Sequence, residues 1–217
     1  LYKALGRGEG GLHAFKSPDG IRWSLMTDGP VITRGAFDSQ NLAFWDTLRG
    51  EYREYHRDFR DGRDIRTGTS TDFLSWTDPV WLDYSPGRTS QLYTNQVIPY
   101  YRAPHIFLGF PTRYIDRGWT ESTKALPQFD YRRVRGSRSE REGTAVTDGM
   151  FMSSRDGHTF DLWPESFIRP GLRPQDNWTY GDNFASCGLV TTKSMFAGAP
   201  DELSIYTIEG AWRGAVS

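Results

Sequence analysis

The chain has 217 residues and a formal net charge of -1, a balance that excludes the global basic field by which nucleic acid or anionic lipid is held. Its single Cys, Cys187, excludes an internal disulfide framework and a cysteine metal cluster. No apolar run approaches the roughly 20 residues of a membrane-crossing helix, and 15% aromatic residues among many Gly and Pro suit a turn-rich β protein.

In chain order, "LYKALGRGEGG" opens without an initiator Met or a basic-then-apolar signal pattern. "TIEGAWRGAVS" closes just after a strand-like run. Both ends read as cuts, so the expectation is an internal fragment, incomplete at both ends, whose compartment cannot be read directly. "GLHAFKSPDGIRWSLM" is a strand, an Asp-Gly turn and a strand. The same unit returns as "RDIRTGTSTDFLSWTD" and "TDGMFMSSRDGHTFDLW". Ser17, Ser70 and Ser154 with Asp19, Asp72 and Asp156 are expected to accept bonds from their own turn amides. The closing aromatics Trp23, Trp76 and Phe160 are expected to be mostly buried between sheets. Phe73 stands where the other copies have Gly, so its turn is expected to differ in detail.

Each hairpin is followed by a polar linker, an apolar run and a further strand. "FDSQNLAFWD" leads to "GEYREYHRDF", "LYTNQVIPYY" to "HIFLGFPTRY", and "GDNFASCGLVTT" to "ELSIYTIEG". Four-stranded units repeating along a chain are the signature of a β-propeller. The expectation is an all-β fold in a single domain over 1–217, covering about three blades of a closed ring. It comprises a half blade, a full blade from about Arg34 to Gly87, a longer blade to about Leu172, and a closing half blade. The longer blade carries the insertion "DRGWTESTKALPQFDYRRVRGSRSEREG", read either as a solvated loop or as a rim over an anionic or polyhydroxylated ligand.

In a propeller the inner strand of each blade opens onto the axis. The three openings "GAFDSQN", "LYTNQ" and "WTYGDN" place Asp38, Ser39, Gln40 and Asn41, then Tyr93, Asn95 and Gln96, then Tyr180, Asp182 and Asn183 at comparable positions. Such groups also satisfy loop amides at strand starts. Their convergence on one axis would suit a sugar, its hydroxyls held by polar groups and its faces by rings. Glycoside hydrolysis needs an acid and an ionised carboxylate on either side of the bond, and Asp38 and Asp182 are the best axial candidates. His56, Arg57 and Arg113 are candidate hydroxyl or carboxylate binders. Asp64 and Asp148, at the starts of third strands, could cap a strand or reach the rim. Glu142 could serve as a mobile acid or pair on the surface. His13, His105 and His158 show no metal-ligand spacing, and no nucleotide loop is present, so no metal or cofactor is expected.

The stretches "FDSQNLAFWD…GEYREYHR", "RDIRTGTSTDFLSW", "TDGMFMSSRDGHTFDLWPESFIRPG" and "NWTYGDN" resemble bacterial glycosyl-hydrolase-like proteins. These are related to the five-bladed furanosidases of the β-fructosidase and arabinanase superfamily. The resemblance implies a five-bladed propeller with an axial carbohydrate site. It also implies an inner-strand Asp on the first blade, a second Asp on the next and a Glu acid on the third. Asp38 matches the first; Asn95 stands where the second Asp is expected, and Asp182 where the Glu is. The reading is a carbohydrate-active enzyme, a glycoside hydrolase, with carbohydrate as its partner. The alternatives are a non-catalytic sugar-binding propeller and a protein-interaction propeller. Asn41, His56, Arg57, Tyr93, Asn95, Arg113, Asp148, Tyr180 and Asn183 are the expected substrate-binding residues.

Overall fold

The computed structural model describes residues 1–172 and 177–211, apart from the side chain of Cys187. The chain is mostly β. It opens with β1 (Tyr2–Gly8), β2 (Gly11–Ser17) and β3 (Ser24–Leu25), then β4 (Leu42–Asp46), β5 (Glu51–Phe59), β6 (Arg63–Ser70) and β7 (Val80–Trp81). Short strands β8 (Asp83–Ser85) and β9 (Gln91–Leu92) lead to β10 (Ile98–Tyr100), β11 (Ala103–Gly109) and β12 (Thr112–Ile115). Three short helices follow: α1 (Glu121–Lys124), α2 (Phe129–Gly136) and α3 (Glu140–Thr144). The chain then forms β13 (Val146–Gly149), β14 (Met152–Ser154), β15 (Thr159–Leu162), β16 (Phe184–Thr192) and β17 (Glu202–Ile208). These elements form two compact units, residues 1–109 with 152–162, and residues 110–151 with 163–217.

The first unit contains the repeat anticipated from the sequence. β4-β5-β6-β7 is a four-stranded antiparallel meander. A second sheet runs β10-β11-β14-β15, with β8 added parallel to β15, and a third, β1-β2-β3, precedes both along the chain. The sheets meet in that order. The Lys3 ammonium of β1 donates to the Tyr52 hydroxyl of β5 at 2.7 Å. Phe44 of β4 lies 6.1 Å from Phe107 of β11, ring centre to ring centre. Tyr55 of β5 meets Phe160 edge on, and its buried hydroxyl donates to the Gly157 carbonyl at 2.7 Å. These aromatic contacts form the core of the unit, together with Ile65, Leu82, Val97 and Met152, and burial of each such side chain contributes about 1.5–3 kcal/mol.

The Ser-x-Asp turns are the same three times over. Ser17, Ser70 and Ser154 each accept from the amide three residues on, at 2.8, 2.9 and 2.9 Å. Asp19, Asp72 and Asp156 each accept two further amides through Oδ1, at 2.7 to 2.9 Å. Phe73 does not alter its turn. It takes φ 75°, beside 78° at Gly20 and 75° at Gly157. A left-handed conformation disfavours a bulky residue, but the Ser70 and Asp72 bonds hold the backbone there and the ring packs edge on against Tyr52 and Trp76.

The closing aromatics correct a second expectation. Phe160 is buried, Trp76 half-buried, and Trp23 is 42% exposed. The indoles of Trp23 and Trp76 occupy equivalent places, each donating back to its own turn carbonyl at 3.1 Å. That bond draws the ring over the turn and away from the intersheet core.

In the second unit β12 and β13 pair antiparallel, and β16 pairs with β17 around a bulge between Ala185 and Leu189. The insertion is not a plain solvated loop; it folds into α1, α2 and α3. Arg132, on α2, is fully buried and donates to the carbonyls of Pro127, Gly143 and Trp178. Arg135 donates to the Tyr180 carbonyl at 3.1 Å. These two cations satisfy backbone acceptors that would otherwise be buried unpaired. No described helix is long and apolar enough to cross a membrane.

Candidate functional site

In the first unit the loop before β4 and the segment before β10 come together. Asp38 forms an ion pair with Arg57 of β5; the carboxylate side chain is 55% exposed, the guanidinium side chain 3%. Arg57 also donates to the Ser39 hydroxyl at 3.3 Å. Its guanidinium carbon stands 4.6 Å from the centre of the Phe59 ring and 5.4 Å from that of Tyr93. Arg63 lies 5.0 Å from the Tyr93 ring centre. Cations held against aromatic faces gain from the ring quadrupole, so Arg57 is fixed on two sides and presents Asp38 outward.

Gln40 ties this loop to its neighbour: Oε1 accepts from the amides of Asn95 and Gln96 at 3.0 and 3.1 Å. Asn95 is buried; its amide group donates to the Tyr55 carbonyl and its Oδ1 accepts from Val97. Asn41 donates to the Phe37 and Ser39 carbonyls, closing the loop on itself. Of the sequence candidates, Asp38, Asn41, Arg57, Tyr93 and Asn95 are thus gathered here. Asp64 is apart from them, fully buried and held by Arg60, Arg88 and the Tyr84 hydroxyl.

His56 is also shut off from solvent. Side chains alternate along β5, so His56 points to the opposite face from Arg57. Its Nε2 lies 3.0 Å from the Arg34 carbonyl and its Nδ1 2.7 Å from Glu54 Oε2. A carbonyl only accepts, so Nε2 carries hydrogen and donates to it, and Nδ1 and the Glu54 carboxyl are each other's hydrogen-bond partners. Burial pushes the Glu54 carboxyl up, against the opposing pull of His56. Sequence reading passed over Glu54, although its place in "EYREYHR" two residues before His56 puts both on one face of a strand.

In the second unit Asp182 is fully buried. Its Oδ2 accepts from the Thr179 amide and hydroxyl at 3.2 and 2.7 Å, and its Oδ1 from the Ala211 amide at 2.8 Å. Asn183, in the left-handed region at φ 63°, donates to the carbonyls of Thr147 and Asn177. Both side chains organise the loop entering β16. Tyr180 contacts Arg141 through its hydroxyl at 3.3 Å. With Tyr131, Arg135, Arg138 and Glu142 it lines a pocket of about 400 Å³ against α2.

A second pocket, about 370 Å³, opens between β12, β13 and the insertion. Ile115, Leu126, Val146, Pro170 and Trp178 form its apolar walls, and Arg117, Asp148, Arg169, Ser122, Thr144 and Ser166 its polar groups. Asp148 accepts a two-pronged bond from Arg113, at 2.8 Å to Nε and 2.5 Å to Nη2. That fork neutralises the carboxylate with fixed geometry. Trp178 was the signal that sequence reading left aside, two residues before Tyr180 in "NWTYGDN". Among the described residues, no group of three His, Cys, Asp or Glu side chains is arranged to hold a metal ion.

No protein-family profile and no curated protein matches this chain. Among solved structures it is similar to an N-acetylgalactosamine deacetylase from F. plautii in complex with blood group B trisaccharide. The two share 14% identity and a TM-score of 0.54, over 87% of this chain and 53% of that one. A structure described as a glycoside hydrolase gives 12% identity and a TM-score of 0.46, over 84% of this chain and 50% of that one. The chain therefore spans about half the length of either protein. At 14% identity the first likeness is one of fold.

Proposed function

We propose that the chain is part of a carbohydrate-active enzyme of the glycoside hydrolase type, furanosidase-like, and that it forms about three blades of a five-bladed propeller. The four-stranded meander β4-β5-β6-β7, with a three-stranded sheet before it and a five-stranded sheet after it along the chain, supports the propeller reading. The likeness of fold to a protein captured with a trisaccharide supports the carbohydrate reading. The observation that carries the assignment is the Asp38–Arg57 pair, a solvent-open carboxylate held by a buried guanidinium.

Cleavage of a glycosidic bond passes through an oxocarbenium-like state, which an ionised carboxylate stabilises, follows as nucleophile, or supplies with an activated water. Asp38 takes that role. Arg57 positions it, and Tyr93, against Arg57, offers a ring face beside it. Asp182, engaged within its own loop, positions the β16 entrance. The proton donor is then a carboxyl group from elsewhere in the protein. The rival reading, a sugar-binding module without catalysis, is favoured by Asn95, which stands where a second inner-strand Asp is expected and spends its amide on backbone groups.

The test is a panel of oligosaccharides and aryl glycosides, furanosides among them, scored for both binding and released sugar. Asp38→Asn is expected to cut turnover by about 10²–10⁴-fold with the melting temperature and sugar binding retained. Unchanged hydrolysis removes Asp38 from the mechanism. Binding without hydrolysis in the parent protein selects the binding module, and neither binding nor hydrolysis rejects both readings.

A further inference from the structure

Among the described residues, the pocket between β12, β13 and the insertion is lined by two arginines that no lining carboxylate pairs with. Its acidic lining residue, Asp148, is taken up by the Arg113 fork. Its two basic ones, Arg117 and Arg169, have no carboxylate within ion-pair distance among the described residues. Arg169 spends one N–H on the Ser166 carbonyl at 2.8 Å, which fixes the side chain and leaves the rest of the guanidinium available. The volume, about 370 Å³, falls within the range of small-ligand sites, roughly 300–1,000 Å³. The indole of Trp178 is anchored through Nε1 to the Gly171 carbonyl at 3.0 Å, and the Trp178 carbonyl is clamped by the buried Arg132. The pocket thus offers a fixed aromatic wall and, at its solvent-exposed rim, two guanidiniums with no ion-pair partner among the described residues; the Ser122 and Thr144 hydroxyls are already bonded to Thr120 and Asp116.

We infer that this pocket binds a carboxylate-bearing sugar of the uronic acid kind. The pyranose face packs on Trp178 and the apolar wall, and the carboxylate is received by Arg117 and Arg169. Guanidinium groups match a carboxylate in geometry as well as charge. A neutral sugar would make no ion pair with the two exposed arginines, and a bare anion would leave the indole wall unused. The site belongs wholly to the second unit and does not depend on hydrolysis at Asp38.

The experiment is titration of the full chain at low salt with galacturonate, glucuronate, galactose, glucose and acetate, followed by ligand-observed NMR. At least one uronate is expected to bind about tenfold tighter than its neutral counterpart, a difference of about 1.4 kcal/mol, and tighter than acetate. The preference is expected to shrink as salt is raised. Arg117→Gln with Arg169→Gln should abolish it. Arg133→Gln, which removes an exposed cation of α2 paired with Asp130, should leave it intact. Equal binding of neutral and acidic sugars overturns the inference, as does acetate matching the uronates, a preference that survives the double substitution, or no binding at all.

Discussion

His56 Nδ1 and Glu54 Oε2 lie 2.7 Å apart, with both side chains fully removed from solvent. The pair sits behind the Asp38–Arg57 corner and ties β5 to the segment bearing Arg34. Removing one partner leaves the other buried without its bond, which commonly costs about 3–5 kcal/mol. His56→Ala is expected to destabilise the fold by about 3 kcal/mol in denaturant titration. Glu54→Gln should cost much less, because the amide can still donate to Nδ1 and no charge is buried. Equal losses in the two variants would show that an amide cannot stand in for the Glu54 carboxyl.

Asp156 provides a test in acid. Burial raises its pKa, but the amides of His158 and Thr159 and the Ser154 hydroxyl outweigh this and bring it from 3.8 down to about 2. A carboxylate with a depressed native pKa contributes stability that is fully present above its unfolded value and lost as pH falls through its folded one. Asp156→Ala should cost about 1 kcal/mol near neutrality. The gap to the parent protein should narrow from about pH 4 downward and close only below about pH 2. A gap that does not narrow between about pH 4 and pH 2 would assign the loss to packing.

Phe73 and Gly157 occupy the same left-handed position in successive turns, and their exchanges are not equivalent. Gly157→Ala places a Cβ 2.9 Å from the Tyr55 hydroxyl and 3.1 Å from the Phe107 ring, in a conformation disfavoured for L side chains. Phe73→Gly relieves the backbone but removes a buried ring from Tyr52 and Trp76. The lost packing should exceed the roughly 1 kcal/mol regained by glycine, for a net loss of about 2 kcal/mol. Thermal melts of both variants check this, and a stabilised Phe73→Gly would contradict it.

Arg132 joins the insertion to the loop of Trp178. Arg132→Met keeps much of the volume but strips the donor from three carbonyls, at about 1–3 kcal/mol for each buried group left unsatisfied. The expected readout is faster proteolytic cleavage within 116–143, with the first unit remaining resistant. Unchanged cleavage would mean that the helices hold without this clamp.

Local chemistry explains what could be read before the structure. The Ser-x-Asp turns close through bonds between residues at most three apart, so spacing alone located all three and assigned their partners. Alternating apolar runs located β2, β4, β5, β6 and the closing pair β16 and β17, because half-buried strands imprint a period of two on the chain. The order of the meanders followed from short connections between antiparallel neighbours. The run "LYTNQVIPYY" was less legible. Only β9 and β10 are extended pairs there, and the amides of Asn95 and Gln96 are held by Gln40 from 55 and 56 residues away. The turn at Phe73 was misjudged because residue identity reports preference for a conformation, whereas hydrogen bonds to Ser70 and Asp72 impose it.

The sequence by itself determined that the chain is β-rich, repeats a strand-turn-strand unit and collects polar and aromatic groups at the starts of three strands. Exposure was decided only in three dimensions. Asp38 and Asp182 look alike in sequence, each opening an apolar run, yet one points to solvent on a buried Arg and the other is enclosed by its own loop. Six arginines in the insertion likewise look alike. Arg132 is buried because three carbonyls happen to surround it, one of them 46 residues away. Burial and charge compensation depend on which distant groups arrive at the same place, and a linear pattern records only the near ones.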